Sequence, residues 1–120
     1  MLVDDDDAQR EIVQEILNLE ELAVLSAGSA SDAVGLLEQD PELVLLDLHG
    51  VEVEPLLRAL RSRPRPPALL VVSGDLRLSE HAARMGADGY LAKPYEIDDL
   101  LRAVEEMLAR PRANQTGAQA

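Results

Sequence analysis

The sequence contains no cysteine, so disulfides, thiolate zinc sites and cysteine nucleophiles are excluded at the outset. It contains neither phenylalanine nor tryptophan and only two tyrosines, Tyr90 and Tyr95. The core must therefore be aliphatic. Cations are also scarce: 11 Lys and Arg stand against 23 Asp and Glu, a formal net charge of −12. That balance lacks the basic footprint that neutralises phosphates, so nucleic acid is not expected as a direct partner. No apolar run approaches the roughly 20 residues that cross a bilayer, and the N-terminus turns to aspartate after Val3 without the pattern of a secretory leader. A soluble, cytoplasmic protein without a membrane role is expected. A length of 120 residues suits one domain and leaves no room for a second of ordinary size.

What is present alternates. Leu43-Val44-Leu45-Leu46, Ala68-Leu69-Leu70-Val71-Val72 and Tyr90-Leu91-Ala92 are short apolar runs without period-two alternation, as expected of parallel strands covered on both faces. Met1–Val3 and Leu22–Ser26 are weaker strand candidates. Helical periodicity fills the gaps. A first helix after Asp7 places Ile12, Val13, Ile16 and Leu17 on one face, and a second opens at Ser29, spaced from Asp32 as in a capping box, to bury Ala33, Val34 and Leu37. A third begins near Pro55 with Leu56, Leu57 and Leu60; a fourth runs from Ser79 to Met85 and stops at Gly86. The fifth carries the stripe Ile97, Leu100, Leu101, Val104 and Leu108. Residues 110–120 show no apolar period and are expected to be a disordered tail after a domain spanning 1–109. The arginines of the 61–67 connection are read as a solvated loop.

Five strands alternating with five helices predict an α/β, doubly wound parallel sheet, whose chemistry collects at the carboxyl ends of the strands. Those ends deliver Asp4 and Asp5, Asp47, Ser73 and Lys93. Carboxylates meeting at the mouth of an apolar strand repel one another and call for a cation. A hard ion such as Mg²⁺ or Mn²⁺ answers that need, and Lys93 adds a further positive charge. An aspartate, a metal, a lysine and a hydroxyl around one cavity suit phosphoryl transfer onto a carboxylate oxygen.

Four stretches, Leu2-Val3-Asp4-Asp5-Asp6, Leu43 to Leu48, Val71-Val72-Ser73-Gly74 and Gly86 to Tyr95 with its Lys93-Pro94, together resemble the receiver domain of bacterial two-component response regulators. The resemblance implies a flavodoxin-like five-stranded sheet of order 2-1-3-4-5 with five helices. It implies Asp47 as phospho-acceptor, Asp5 as a direct metal ligand, Asp4 as a ligand through water, and the backbone carbonyl of His49 as a third protein ligand. It further implies Ser73 as the hydroxyl that closes on the phosphoryl group, Lys93 as its ion-pairing partner, Tyr90 as the switch aromatic, and a cis bond before Pro94. His49 and Asp75, each two positions beyond a site residue, are expected to modulate hydrolysis, His49 by shielding the phosphoryl group and Asp75 by steering water. Implied partners are a sensor histidine kinase or phosphotransfer protein, and a downstream protein or second copy across the fourth helix, fifth strand and fifth helix.

The segment Gly50-Val51-Glu52-Val53-Glu54-Pro55 departs from the family pattern, which carries Met-Pro after the acceptor strand and a later Asp-Gly. This altered connection supports an alternative, a pseudo-receiver that binds partners without being phosphorylated. A small aspartate-nucleophile phosphatase ranks behind both, because His49 stands where such enzymes carry a second aspartate. Neither His49 nor His81 has a companion at zinc-ligand spacing.

Overall fold

A computed structural model of the chain describes residues 1–47 and 52–111. Five parallel strands, β1 (Leu2–Val3), β2 (Ser26–Ala27), β3 (Leu43–Asp47), β4 (Ala68–Ser73) and β5 (Gly89–Ala92), form one sheet in the order β2-β1-β3-β4-β5. Five helices connect and flank them: α1 (Asp7–Leu19), α2 (Ala30–Leu36), α3 (Glu54–Arg61), α4 (Leu78–Met85) and α5 (Ile97–Ala109). The doubly wound architecture expected from the sequence and the strand order implied by the family resemblance are those observed.

Alternation along the strands divides the core into two layers. Val3, Val44, Leu46, Leu69 and Val71 pack with α2, α3 and α4, through Ala33, Leu56, Leu60 and Leu78. Their neighbours Leu2, Leu43, Leu45, Leu70 and Val72 pack on the other face with α1 and α5, through Val13, Leu17, Leu100 and Val104. Because β3 and β4 are buried on both faces, their sequences need no polar alternation.

The departures from expectation have local causes. The edge strand β2 is Ser26–Ala27, not Leu22–Ser26, because its ladder partner β1 offers only Leu2 and Val3. β5 is the other edge and alternates between half-buried and exposed residues, so it is not covered on both faces as its apolar run suggested. Ile12 and Ile97 lie at the rims of their helical stripes and are exposed, whereas Met107 completes the buried face of α5. Val34 is half-buried instead of fully buried.

The helix ends follow side-chain chemistry. Ser29 Oγ accepts the Asp32 N–H at 3.1 Å at the start of α2, as its spacing predicts. Glu96 and Asp99 form a reciprocal capping box at the start of α5. Gly86 ends α4 with φ of 71°, in the left-handed region where a Cβ is unfavourable. At the end of α5, Arg110 donates from Nη1 to the Asp88 carbonyl at 3.1 Å. Of the expected tail, residues 112–120 lie outside the described residues.

The two ends of the α5 stripe make opposite predictions. Leu100 is fully buried between α5 and the sheet, so Leu100→Ala should cost about 3 kcal/mol of unfolding free energy in chemical denaturation. Ile97→Ala, at an exposed position, should stay within about 0.5 kcal/mol of wild type. Equal losses at both positions would contradict this placement of the helix.

Candidate functional site

Strand register brings the site together. Val3 pairs with Leu46, so Asp4 follows β1 beside Asp47 at the end of β3. Asp47 in turn pairs with Val72, and Ser73 with Ala92, which puts Ser73 and then Lys93 one step further along the same edge. Three polar side chains are thereby carried into the apolar end of the sheet: Asp4 is 2% exposed, Asp47 5% and Ser73 7%. Lys93 Nζ closes on Asp47 Oδ2 at 2.5 Å. The Lys93 N–H also donates to the Ser73 carbonyl at 2.9 Å, fixing the backbone from which the lysine reaches back. The peptide bond between Lys93 and Pro94 is cis, as the family resemblance implied.

Asp4, Ser73 and Asp75 each have a defined partner. Asp4 Oδ1 accepts the Asp6 N–H at 2.9 Å, which turns the chain into α1, and Asp6 caps that helix by accepting the Gln9 N–H at 3.0 Å. Arg10 Nη1 donates to the Asp4 carbonyl at 2.6 Å, tying α1 to the end of β1. Gly28 makes room for it, since a Cβ there would stand 3.1 Å from Arg10 Nη1. Ser73 Oγ accepts the Asp75 N–H at 3.0 Å and keeps its own O–H to donate. Asp75 accepts the Arg77 N–H at 2.7 Å and faces His81 Nε2 at 3.5 Å, so its carboxylate braces the turn between β4 and α4.

A cleft of about 810 Å³ opens over these groups, lined by Ser73, Gly74, Asp75 and Lys93 from the sheet edge and by His81 and Arg84 from α4. Asp5 is exposed, next in sequence to the buried Asp4. Tyr90 projects from the edge strand and is 53% exposed. His49 lies outside the described residues, as do the expected metal carbonyl and the shielding role assigned to it.

Burial pushes the Asp4 carboxyl above the ordinary carboxylate range; the Asp6 N–H opposes that shift, Asp47 adds to it, Lys93 opposes it and Asp5 adds a little more. The carboxylates thus outnumber the cation beside them. Asp4, Asp5 and Asp47 supply oxygen donors, the chemistry that suits Mg²⁺ or Mn²⁺. Among the described residues no three His, Asp or Glu side chains are grouped so as to hold a metal ion by themselves. Tyr95, half-buried beside the site, has its phenol pushed up by burial, with Lys93 opposing and the two aspartates reinforcing the shift.

Three residues at this site escaped the sequence reading. Gln9 Oε1 accepts from Lys93 Nζ at 2.9 Å, Arg10 holds the Asp4 carbonyl, and Tyr95 packs against the core layer of α1 and α5, close enough for its phenol to be influenced by the Lys93 charge. Gln9 had a sequence signal: it precedes the buried Val13 and Leu17 at helical spacing, where the stripe would otherwise continue with an apolar residue.

Comparison with known proteins gives one answer. The model of the response regulator receiver domain matches residues 1–105. Response regulator MprA of Mycolicibacterium vanbaalenii is 35% identical over 118 residues, which cover 92% of this chain and 50% of that protein. Transcriptional regulatory protein CpxR of Escherichia coli (strain K12) is 29% identical over 116 residues, covering 92% of this chain and 49% of that protein. The chain therefore spans about half the length of these curated relatives. Among solved structures, a CheY-like receiver domain protein from Methanospirillum hungatei superposes with a TM-score of 0.76 at 32% identity, covering 89% of this chain and 90% of that one. The receiver domain of NtrX from Brucella abortus gives a TM-score of 0.79 at 27% identity, covering 92% and 98%.

The raised Asp4 pKa has a defined sign. Below the ordinary carboxylate pKa both folded and unfolded chains hold the proton. As pH rises through the interval between the ordinary value and the folded one, the unfolded chain loses its proton first, so stability falls. Asp4→Asn keeps the oxygen that accepts the Asp6 N–H and removes the charge. Without divalent metal at neutral pH it should therefore melt above wild type, and the difference between the two melts should vanish at acid pH. A variant less stable than wild type at neutral pH would sink this account of Asp4.

Proposed function

The chain belongs to the response regulator receiver domain family, and from that premise we propose that it is a phospho-accepting switch whose Asp47 takes a phosphoryl group in a two-component phosphorelay. The observation that carries this reading is the buried Asp47 carboxylate paired with Lys93, a lysine that lines an open cleft together with Ser73.

The donor is the phosphorylated imidazole of a sensor histidine kinase or phosphotransfer protein. An Asp47 oxygen attacks phosphorus, the new P–O bond forms as the P–N bond of the donor breaks, and the electron pair leaves with the imidazole. Lys93 follows the charge from carboxylate to phosphoryl oxygen, and the Ser73 hydroxyl donates to another of those oxygens. Asp5 and Asp47 would hold Mg²⁺ or Mn²⁺ directly, with Asp4 acting through water and the His49 carbonyl completing the set. When bound, the ion neutralises charge on the carboxylates and on the incoming phosphoryl group.

On this reading the chain is a signalling domain that catalyses only its own phosphorylation and dephosphorylation, in the cytoplasm where its donor works. The folded unit, 1–109 with Arg110 packed against it, is the receiver. Tyr90 and Ile97, both exposed, lie on the face formed by α4, β5 and α5, which is the surface offered to a downstream protein or a second copy. Ser73 at the end of β4 and Tyr90 on the neighbouring strand connect that face to Asp47. Asp75, braced by Arg77 and His81, sets the charge at the mouth where water enters to hydrolyse the acyl phosphate. A pseudo-receiver would have no use for a lysine held on a buried carboxylate, and the intact set of Asp5, Asp47, Ser73 and Lys93 supports the active form.

Incubation with acetyl phosphate and Mg²⁺ followed by intact mass measurement tests the proposal. Wild type should gain one phosphoryl group, and neither Asp47→Asn nor wild type stripped of divalent metal should do so. Equal labelling of Asp47→Asn, or no labelling of wild type, would refute it.

A further inference from the structure

Gln9 stands at the head of the inner face of α1, where Val13 and Leu17 continue the stripe into the core. Its amide crosses to another element: Oε1 accepts a hydrogen bond from Lys93 Nζ at 2.9 Å, linking residues 84 positions apart. The mount is stiff. The Gln9 N–H is held by the Asp6 carboxylate at 3.0 Å, and the next residue, Arg10, grips the Asp4 carbonyl at 2.6 Å. The acceptor is thus fixed relative to β1 and to the aspartates that follow it.

A lysine ammonium has three N–H donors on a flexible four-carbon stem. One donor meets Asp47 and a second meets Gln9. Both Lys93 and Gln9 line the cleft, and the ammonium keeps one further donor. We propose that Gln9 is a positioning residue for Lys93, holding the ammonium between the Asp47 carboxylate and the site of the incoming phosphoryl oxygens. Without that second acceptor the ammonium is tethered by Asp47 alone, and it swings among rotamers once Asp47 is phosphorylated and its charge moves outward. The effect on the lysine rests on the observed contact, and the effect on rate rests additionally on the phospho-acceptor reading of Asp47.

Gln9→Met keeps side-chain length and helix propensity and removes the acceptor. Gln9→Asn keeps the amide and shortens its reach, which guards against an effect of methionine on folding. Each variant, as the full chain, is compared with wild type in melting temperature, in the solvent-exchange rate of the Lys93 ¹⁵Nζ ammonium signal, and in phosphorylation by acetyl phosphate with Mg²⁺. Both should melt close to wild type and show faster ammonium exchange. Both should lose about fivefold in maximal phosphorylation rate while the acetyl phosphate concentration at half-saturation stays unchanged. In a Lys93→Ala background Gln9→Met should change the rate no further, because Gln9 acts only through the lysine. An unchanged Lys93 signal in both variants overturns the proposal, as does a further loss of rate in the Lys93→Ala background. Wild type that gains no phosphoryl group refutes the phospho-acceptor reading and the rate effect with it, while the ammonium signal still decides whether Gln9 holds Lys93.

Discussion

The ion pair between Asp47 and Lys93 is the constraint on which this structure turns. A carboxylate at the end of a fully buried strand is unfavourable unless a cation accompanies it. Here that cation comes from the far side of β4, after the edge strand β5. To bring Lys93 within reach, the chain after Ala92 must turn back over the sheet, and the bond from the Lys93 N–H to the Ser73 carbonyl holds it there. One electrostatic requirement thus links the end of β3 to the ends of β4 and β5.

The same requirement explains why so much polar structure gathers at one end of an otherwise aliphatic fold. β1 has only two residues in its ladder, so Asp4 enters the apolar layer almost at once and is fixed by the Asp6 N–H on one atom and by Arg10 on another. Burial is the main reason its carboxyl is pushed up; the Asp6 N–H and Lys93 oppose that shift while Asp47 and Asp5 add to it. A site built this way binds positive charge or an electrophile more readily than an anion alone, and a phosphoryl group accompanied by a divalent ion brings both.

The interior strands and the strand-end residues were legible because buried parallel strands announce themselves as unbroken apolar runs and because the polar residue ending each run is conspicuous, whereas the sheet order came from the family resemblance. Asp47 after Leu46 and Ser73 after Val72 are of this kind. Edges were harder to read. Tyr90-Leu91-Ala92 is as apolar as an interior strand, and only the absence of a further neighbour shows that Tyr90 is exposed. The length of β2 depends on its partner, not on its own composition. Gln9, Arg10 and Tyr95 were missed for a different reason: each acts through a contact with a residue brought close by the fold, and a glutamine on a helix is ordinarily solvated. For Gln9 the interrupted apolar stripe was the available clue.

Lys93→Met tests the central claim most directly, because it keeps the length of the side chain while removing its charge. If the ion pair holds the buried carboxylate, unfolding free energy without divalent metal should fall by about 2 kcal/mol, less than for a wholly buried pair because Lys93 is 25% exposed. Mg²⁺ should recover part of that loss, and Asp47→Asn added to Lys93→Met should recover most of it. A Lys93→Met protein as stable as wild type in the absence of metal would contradict the account.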